Sequence, residues 1–365
     1  MIRIVGVVLC ISGLSVATPQ AAWLERNAPG RVALTGSMHV ARAAQTATLL
    51  GNGKVLITGG MVGNGSFLSS AELYDAATGM FTPTSSMRSA RVGHSAVLLA
   101  DGNVLIIGGG RGENAALAEL YNVATGSWKD AGQISGTFLT RLSDGTLLIL
   151  DRTNSAPHLR ATSTFDPATG KIERGGSMNA DLYGPATLLA DGRVLVAGGE
   201  NDAQMFADAQ VYTPATRQWT NVGRLQKARD KHAATLLANG QVLVVGGADK
   251  NGWRGQMKSS EFFDPITGTF RAGPMMTSER FKLHASVVVL PGGRVAVAGG
   301  SNTIEVYDPK RGDFTQATGA LDEPRYFSSA TTLRDGSVLV AGGYAKGTIA
   351  STEHAWIYRD NPPRQ

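Results

Sequence analysis

The sequence predicts an all-β fold of seven repeated four-stranded units, and three observations lead there. A turn glycine, a short apolar run and a glycine pair recur in register along the chain. Each recurrence but the last is followed by an aromatic residue and, seven positions on, by a second aromatic or apolar one. The composition, with 46 glycines, 42% hydrophobic and 17% charged residues in 365, suits many short strands joined by tight turns and shows no helix-period apolar stripe.

The first copy of the string runs from the turn glycine Gly53 through Val55, Leu56 and Ile57 to Gly59 and Gly60. Residues 102–109, 192–199, 240–247, 293–300 and 336–343 repeat it. A further copy, residues 145–152, keeps the strand but ends in Asp151 and Arg152 instead of glycines. Successive turn glycines are 49, 43, 47, 48, 53 and 43 residues apart, a period belonging to repeat architectures. The paired positions are Tyr74 and Phe81, Tyr121 and Trp128, Phe165 and Ile172, Tyr212 and Trp219, Phe263 and Phe270, and Tyr307 and Phe314. Between them lie turns such as Asp75 to Gly79, where Asp opens the turn through its side chain and Gly accepts positive φ. Each copy therefore reads as four strands.

A glycine pair after a buried strand, followed by Tyr and Trp at this separation, resembles the Kelch repeat, and the resemblance covers nearly all of residues 23–365. It implies a seven-bladed β-propeller, with four antiparallel strands per blade and the first strand of each lining a central channel. A more distant resemblance is to the galactose oxidase propeller domain. The two chain ends suggest how the ring closes. The last repeat reaches its third strand at Trp356 and Tyr358, but the chain stops before a fourth, and Pro362 and Pro363 discourage one. Residues 30–38 match a fourth strand that lacks the other three, Val32 aligning with Phe270. The N-terminal segment is therefore expected to complete the last blade.

Residues 1–22 read as a secretory signal peptide: Arg3, an apolar run over residues 4–14, then small residues, with cleavage after Ala17 or Ala22. The run is shorter than the about 20 residues of a membrane span. Residues 23–365 are then one domain, exported to the periplasm or the medium and expected to be monomeric. Cys10, the sole cysteine, leaves with the leader, so the mature chain has no disulfide, thiolate nucleophile or thiolate metal site. The copper site of a galactose oxidase-like enzyme, which the resemblance brings to mind, needs a cysteine cross-linked to tyrosine and is not expected. The net charge of +5 is spread along the chain, and no basic block marks a nucleic-acid partner.

Five arginines, Arg42, Arg91, Arg229, Arg280 and Arg325, stand where the chain enters an innermost strand. They have two readings: a ring of charge that binds an acidic ligand, or repeat consensus paired with the recurring Glu72, Glu119, Glu261 and Glu305. His94, His232 and His284 share another register, in blades two, five and six. Core hydrogen bonding is the expectation for them, with no metal and no cofactor. Trp253, beside Arg254 in the longest loop, suits stacking on a sugar, anchoring a peptide or packing its own loop. Arg111, Glu113, Glu200, Asn201, Asp202 and Lys346 are further loop candidates. Asp151 and Asp181, with Tyr183, form an acid/base alternative where the repeat degenerates in blades three and four. Three functions follow: a binding module for a carbohydrate, acidic peptide or partner protein, a sugar-active epimerase or lyase, or a structural surface scaffold. Binding is favoured over catalysis.

Overall fold

A computed structural model describes residues 28–110, 117–134, 136, 138–150, 160–178, 182, 184–200 and 204–361. Within these, the strands form seven four-stranded antiparallel sheets. Blade one is typical. Its strands Thr46–Leu49, Val55–Thr58, Ala71–Asp75 and Met80–Thr84 follow one another outward from the axis. Its turn closes as the sequence requires, with Asp75 Oδ1 accepting the Ala77 N–H (3.0 Å) and Gly79 at φ 70°. In blade four the same turn has no glycine, and Arg217 itself takes φ 55°.

The seven innermost strands touch in sequence, and Ser329–Thr332 of blade seven meets Thr46–Leu49 of blade one. The ring is closed. The second strand of each blade is buried along its whole described length, as in Val55–Thr58 and Val242–Val245. It has neighbouring strands on both edges and a neighbouring blade on each face, which explains a continuous apolar run instead of alternation. The paired aromatics sit directly opposite each other on the third and fourth strands. Ring centroids lie 4.7 Å apart for Tyr74–Phe81, 4.9 Å for Tyr121–Trp128 and 5.2 Å for Tyr212–Trp219. The Tyr121 hydroxyl then reaches the preceding blade and meets Thr84 Oγ1 at 2.8 Å.

Blade seven closes as the chain ends suggested. Gly30–Leu34 pairs with Ala355–Asp360, and Val32 stands opposite Tyr358 in the place another blade gives to an aromatic. The Tyr358 hydroxyl donates to the Pro29 carbonyl (2.9 Å), and Val32 N–H donates to Thr318 O of blade six (2.8 Å). The first described strand therefore ties the last two blades together, and no sheet edge is left open at that seam. Deleting residues 23–38 is expected to abolish cooperative thermal unfolding, followed by circular dichroism. An unchanged transition would contradict closure by this strand.

Candidate functional site

The five arginines do not present their charge to a ligand. Arg42, Arg91, Arg229 and Arg280 are fully buried, and Arg325 is 4% exposed. Each of the first four makes one repeated joint. Arg42 Nη1 donates to the Gly59 carbonyl (2.9 Å) and Nη2 to Glu72 Oε1 (2.7 Å). Arg91 does the same with Gly108 and Glu119, Arg229 with Gly246 and Glu261, and Arg280 with Gly299 and Glu305. Each glutamate also accepts two backbone N–H groups from the loop just before its arginine, as Glu305 does from Thr277 (2.6 Å) and Ser278 (3.1 Å). Buried charge is tolerated only when paired and hydrogen-bonded in this way. Burial would raise the Glu72 pKa, but the His39 N–H and Arg42 outweigh it and hold the carboxyl below its usual value. In blade seven Trp356 occupies the glutamate register, and Arg325 turns instead to Asp322 (2.7 Å) and Glu323 (3.0 Å). The ligand-binding expectation for these arginines is thus corrected in favour of repeat structure.

The backbone of the same residues joins neighbouring blades. In five of the six pairs the second glycine donates its N–H to the arginine carbonyl of the next blade. The bonds are Gly60 to Arg91, Gly199 to Arg229, Gly247 to Arg280, Gly300 to Arg325 and Gly343 to Arg42, at 2.8–2.9 Å. A Cβ on Gly60 would lie 2.7 Å from the Ala43 carbonyl, and the residue has φ 97°. Two positions after each of these arginines the chain takes positive φ, at Ala44, Gly93, Lys231, Lys282 and Phe327. That turn lets successive blades exchange backbone bonds around the channel mouth. Gly93 N–H donates to Ala44 O, Ala44 to Phe327 O, and Phe327 to Lys282 O.

The histidines divide. His94 Nε2 lies 3.0 Å from both Thr46 and Thr58 of blade one, while Gln45, at the same register, donates to Ala341 O of blade seven (2.7 Å). Burial, then the nearby arginine, pushes the pKa of His94 and of His232 down to about 3. In blade six Leu283 fills the seam position against Gly246. His284 points into the channel and meets Phe138 of blade three, ring centroids 5.8 Å apart. Among the described residues no three His, Cys, Asp or Glu side chains are grouped to hold a metal ion.

The loop-face mouth between blades five and seven carries what the sequence reading only partly found. Trp253 lies in a single 3-10 turn, Gly252–Arg254. It is half-buried, edge-on to Tyr326 (4.6 Å) and Phe281 (5.5 Å), with Tyr344 at 6.5 Å. Loop packing is therefore part of its role. Lys282 enters the same cluster, its Nζ 4.3 Å from the Trp253 centroid, 4.9 Å from Tyr344 and 5.3 Å from both Phe281 and Phe327. It also donates to the Tyr344 hydroxyl. Burial, with Lys231 nearby, lowers the Lys282 pKa to about 8, and burial pushes Tyr344 up to about 12. Lys346 stands 5.9 Å from Trp253 and is exposed, as is Arg254. Lys231 is held by Asp230 and by Glu200 (2.5 Å). Of these, Phe281, Lys282, Tyr326 and Tyr344 were missed. The signal was present in the residues just after each arginine, Phe281-Lys282 and Tyr326-Phe327, which change from blade to blade while the arginine does not.

Asp151, Asp181 and Tyr183 lie outside the described residues, as do Arg111, Glu113, Asn201 and Asp202.

No family model matches the sequence, and no curated protein matches it. Among solved structures the chain is similar to a novel fungal alcohol oxidase with catalytic diversity among the AA5 family, in complex with copper. The TM-score is 0.72 over 91% of this chain and 76% of that one, at 18% identity. This is a likeness of fold: the chain is a seven-bladed β-propeller. The copper belongs to that oxidase and is not carried over at this identity.

The buried histidines predict a pH response. Each has a folded pKa below the unfolded value of 6.5, so the unfolded chain takes up protons first on acidification. The stability they contribute is complete above pH about 6.5 and is lost progressively toward pH about 3, with a limiting slope of roughly 1.4 kcal/mol per pH unit per histidine. Urea midpoints should fall over this window. Replacing both by the residue blade one already uses, His94→Gln and His232→Gln, should flatten the fall. An equally steep dependence in the double variant would show that other groups cause it.

Proposed function

We propose that the protein is an exported binding module, a leader of residues 1–22 preceding a single propeller domain of residues 23–365. Its ligand is taken at the loop-face mouth between blades five and seven. One observation carries the reading: blades six and seven and the long loop of blade five bring Trp253, Tyr326, Tyr344 and Lys282 together, with Lys346 and Arg254 exposed beside them. Aromatic side chains offer large contact area with little entropy to lose, and cations beside them select the sign of a partner's charge. The ligand class that fits is a carbohydrate or peptide presenting negative charge next to a ring or apolar surface. None of the described helical segments is long and apolar enough to cross a membrane.

The test uses glycan and acidic-peptide arrays probed with the protein and with Trp253→Ala and the surface double variant Lys346→Glu/Arg254→Glu. A specific hit should weaken about tenfold or more in the charge-reversed variant, corresponding to about 1.4 kcal/mol, and should be lost with Trp253→Ala. A hit that survives both places the ligand elsewhere on the ring.

A further inference from the structure

The feature that a binding surface alone leaves unexplained is Lys282. Four aromatic rings surround its amine, its backbone is in the left-handed region at φ 59°, and its carbonyl is fixed by the Phe327 N–H of the next blade (3.2 Å). The position of the amine is therefore set by the ring of blades and not by side-chain preference. A lysine meant only to attract anions would gain from an exposed tip. This one has lost much of its hydration to Trp253, Phe281, Phe327 and Tyr344, and it touches a tyrosine hydroxyl.

We propose that Lys282 is a nucleophilic amine that captures aldehydes bearing a ring or apolar body as imines at the channel mouth. The inference needs the loop-face mouth to admit a ligand and in that respect rests on the proposed function. The lone pair of the neutral amine attacks the carbonyl carbon, the C–N bond forms, and the carbonyl oxygen takes up a proton. The carbinolamine hydroxyl takes a second proton and leaves as water as C=N forms, and over the two steps the nitrogen gives up both of its hydrogens, balancing the two carried off in the water. Tyr344, in contact with Nζ, is positioned to hand a proton between nitrogen and the departing oxygen. Its hydroxyl stays protonated across the working range, its pKa pushed up to about 12 by burial and by Tyr326.

The charges around the amine agree with this chemistry. Lys231 of blade five opposes protonation of Lys282, and its own charge is balanced by Asp230 and Glu200. Trp253 and Lys346 face the cluster from the long loop and blade seven, Arg254 adjoins Trp253, and Tyr326 and Tyr344 complete the titratable groups. The rings favour the cation; desolvation and Lys231 act against it and prevail, leaving a pKa of about 8. A desolvated lysine beside a second cation is a general way to obtain a neutral amine near neutral pH.

The test is brief treatment of the full-length protein with benzaldehyde and cyanoborohydride, which reduces the imine to a stable secondary amine, followed by peptide mapping. At pH about 8, Lys282 should be labelled about tenfold faster than the exposed Lys258, with a rate rising to a midpoint near pH 8. Lys282→Arg should remove that adduct, and Tyr344→Phe, with its melting transition retained, should slow its formation. Labelling of Lys282 no faster than of Lys258 in the folded protein overturns the proposal. So does a rate midpoint at the ordinary lysine value. An array hit without preferential labelling overturns the imine and leaves the loop-face reading intact, whereas labelling without any array hit supports the imine and counts against that reading.

Discussion

The propeller depends on one repeated joint, the buried arginine that grips its own blade with its side chain and the preceding blade with its carbonyl. The guanidinium binds the first glycine of its pair and a buried glutamate, and that glutamate caps two N–H groups of the entering loop. The arginine carbonyl takes the N–H of the previous blade's second glycine. Removing either ionic partner would strand a buried charge, at a cost of about 3–5 kcal/mol. Cys10, the single cysteine of the sequence, can form no disulfide within it, so such joints and the Gly30–Leu34 strand hold the ring closed.

The joint also explains the glycine pair. The second glycine must donate to a neighbouring blade at positive φ while a carbonyl lies where its Cβ would be. Among the described residues five seams carry this bond and the seam from blade two to blade three does not, while the corresponding residues of the seam after blade three lie outside the described residues. In blade three Ile134 stands in the arginine register and Ser163 in the glutamate register. Charge has been removed from both sides of the pair together, as expected when a buried ion is stable only with its partner.

Most of the fold was legible in the sequence because a propeller writes each packing constraint seven times. Asp75-to-Gly79 turns, aromatic pairs and even the alignment of Val32 with the missing outer strand could be read by comparing copies, and the registers agree. The same logic misleads at the site. A residue repeated in five blades does what every blade needs, so the arginines report architecture. The function proposed for the mouth falls to positions the repeat leaves free, Phe281, Lys282, Tyr326 and Tyr344. Their proximity arises from strands of different blades meeting around the axis, which no single repeat displays. Trp253 was visible as a residue that no repeat position demands, but its partners were not. His284 shows a finer limit. It looks equivalent to His94 in the sequence, yet Leu283, not His284, stands three positions after its arginine as His94 does; Leu283 takes the seam and the histidine turns into the channel.

The most direct test of the arginine joint is native-state hydrogen exchange of the glycine amides. If the joints hold the ring together, Gly60, Gly199, Gly247, Gly300 and Gly343 should exchange only through global unfolding, with free energies matching the denaturant-derived stability of the whole domain. Exchange of these amides at the rate of the exposed turn residue Gly51, while the blades stay folded, would contradict the account.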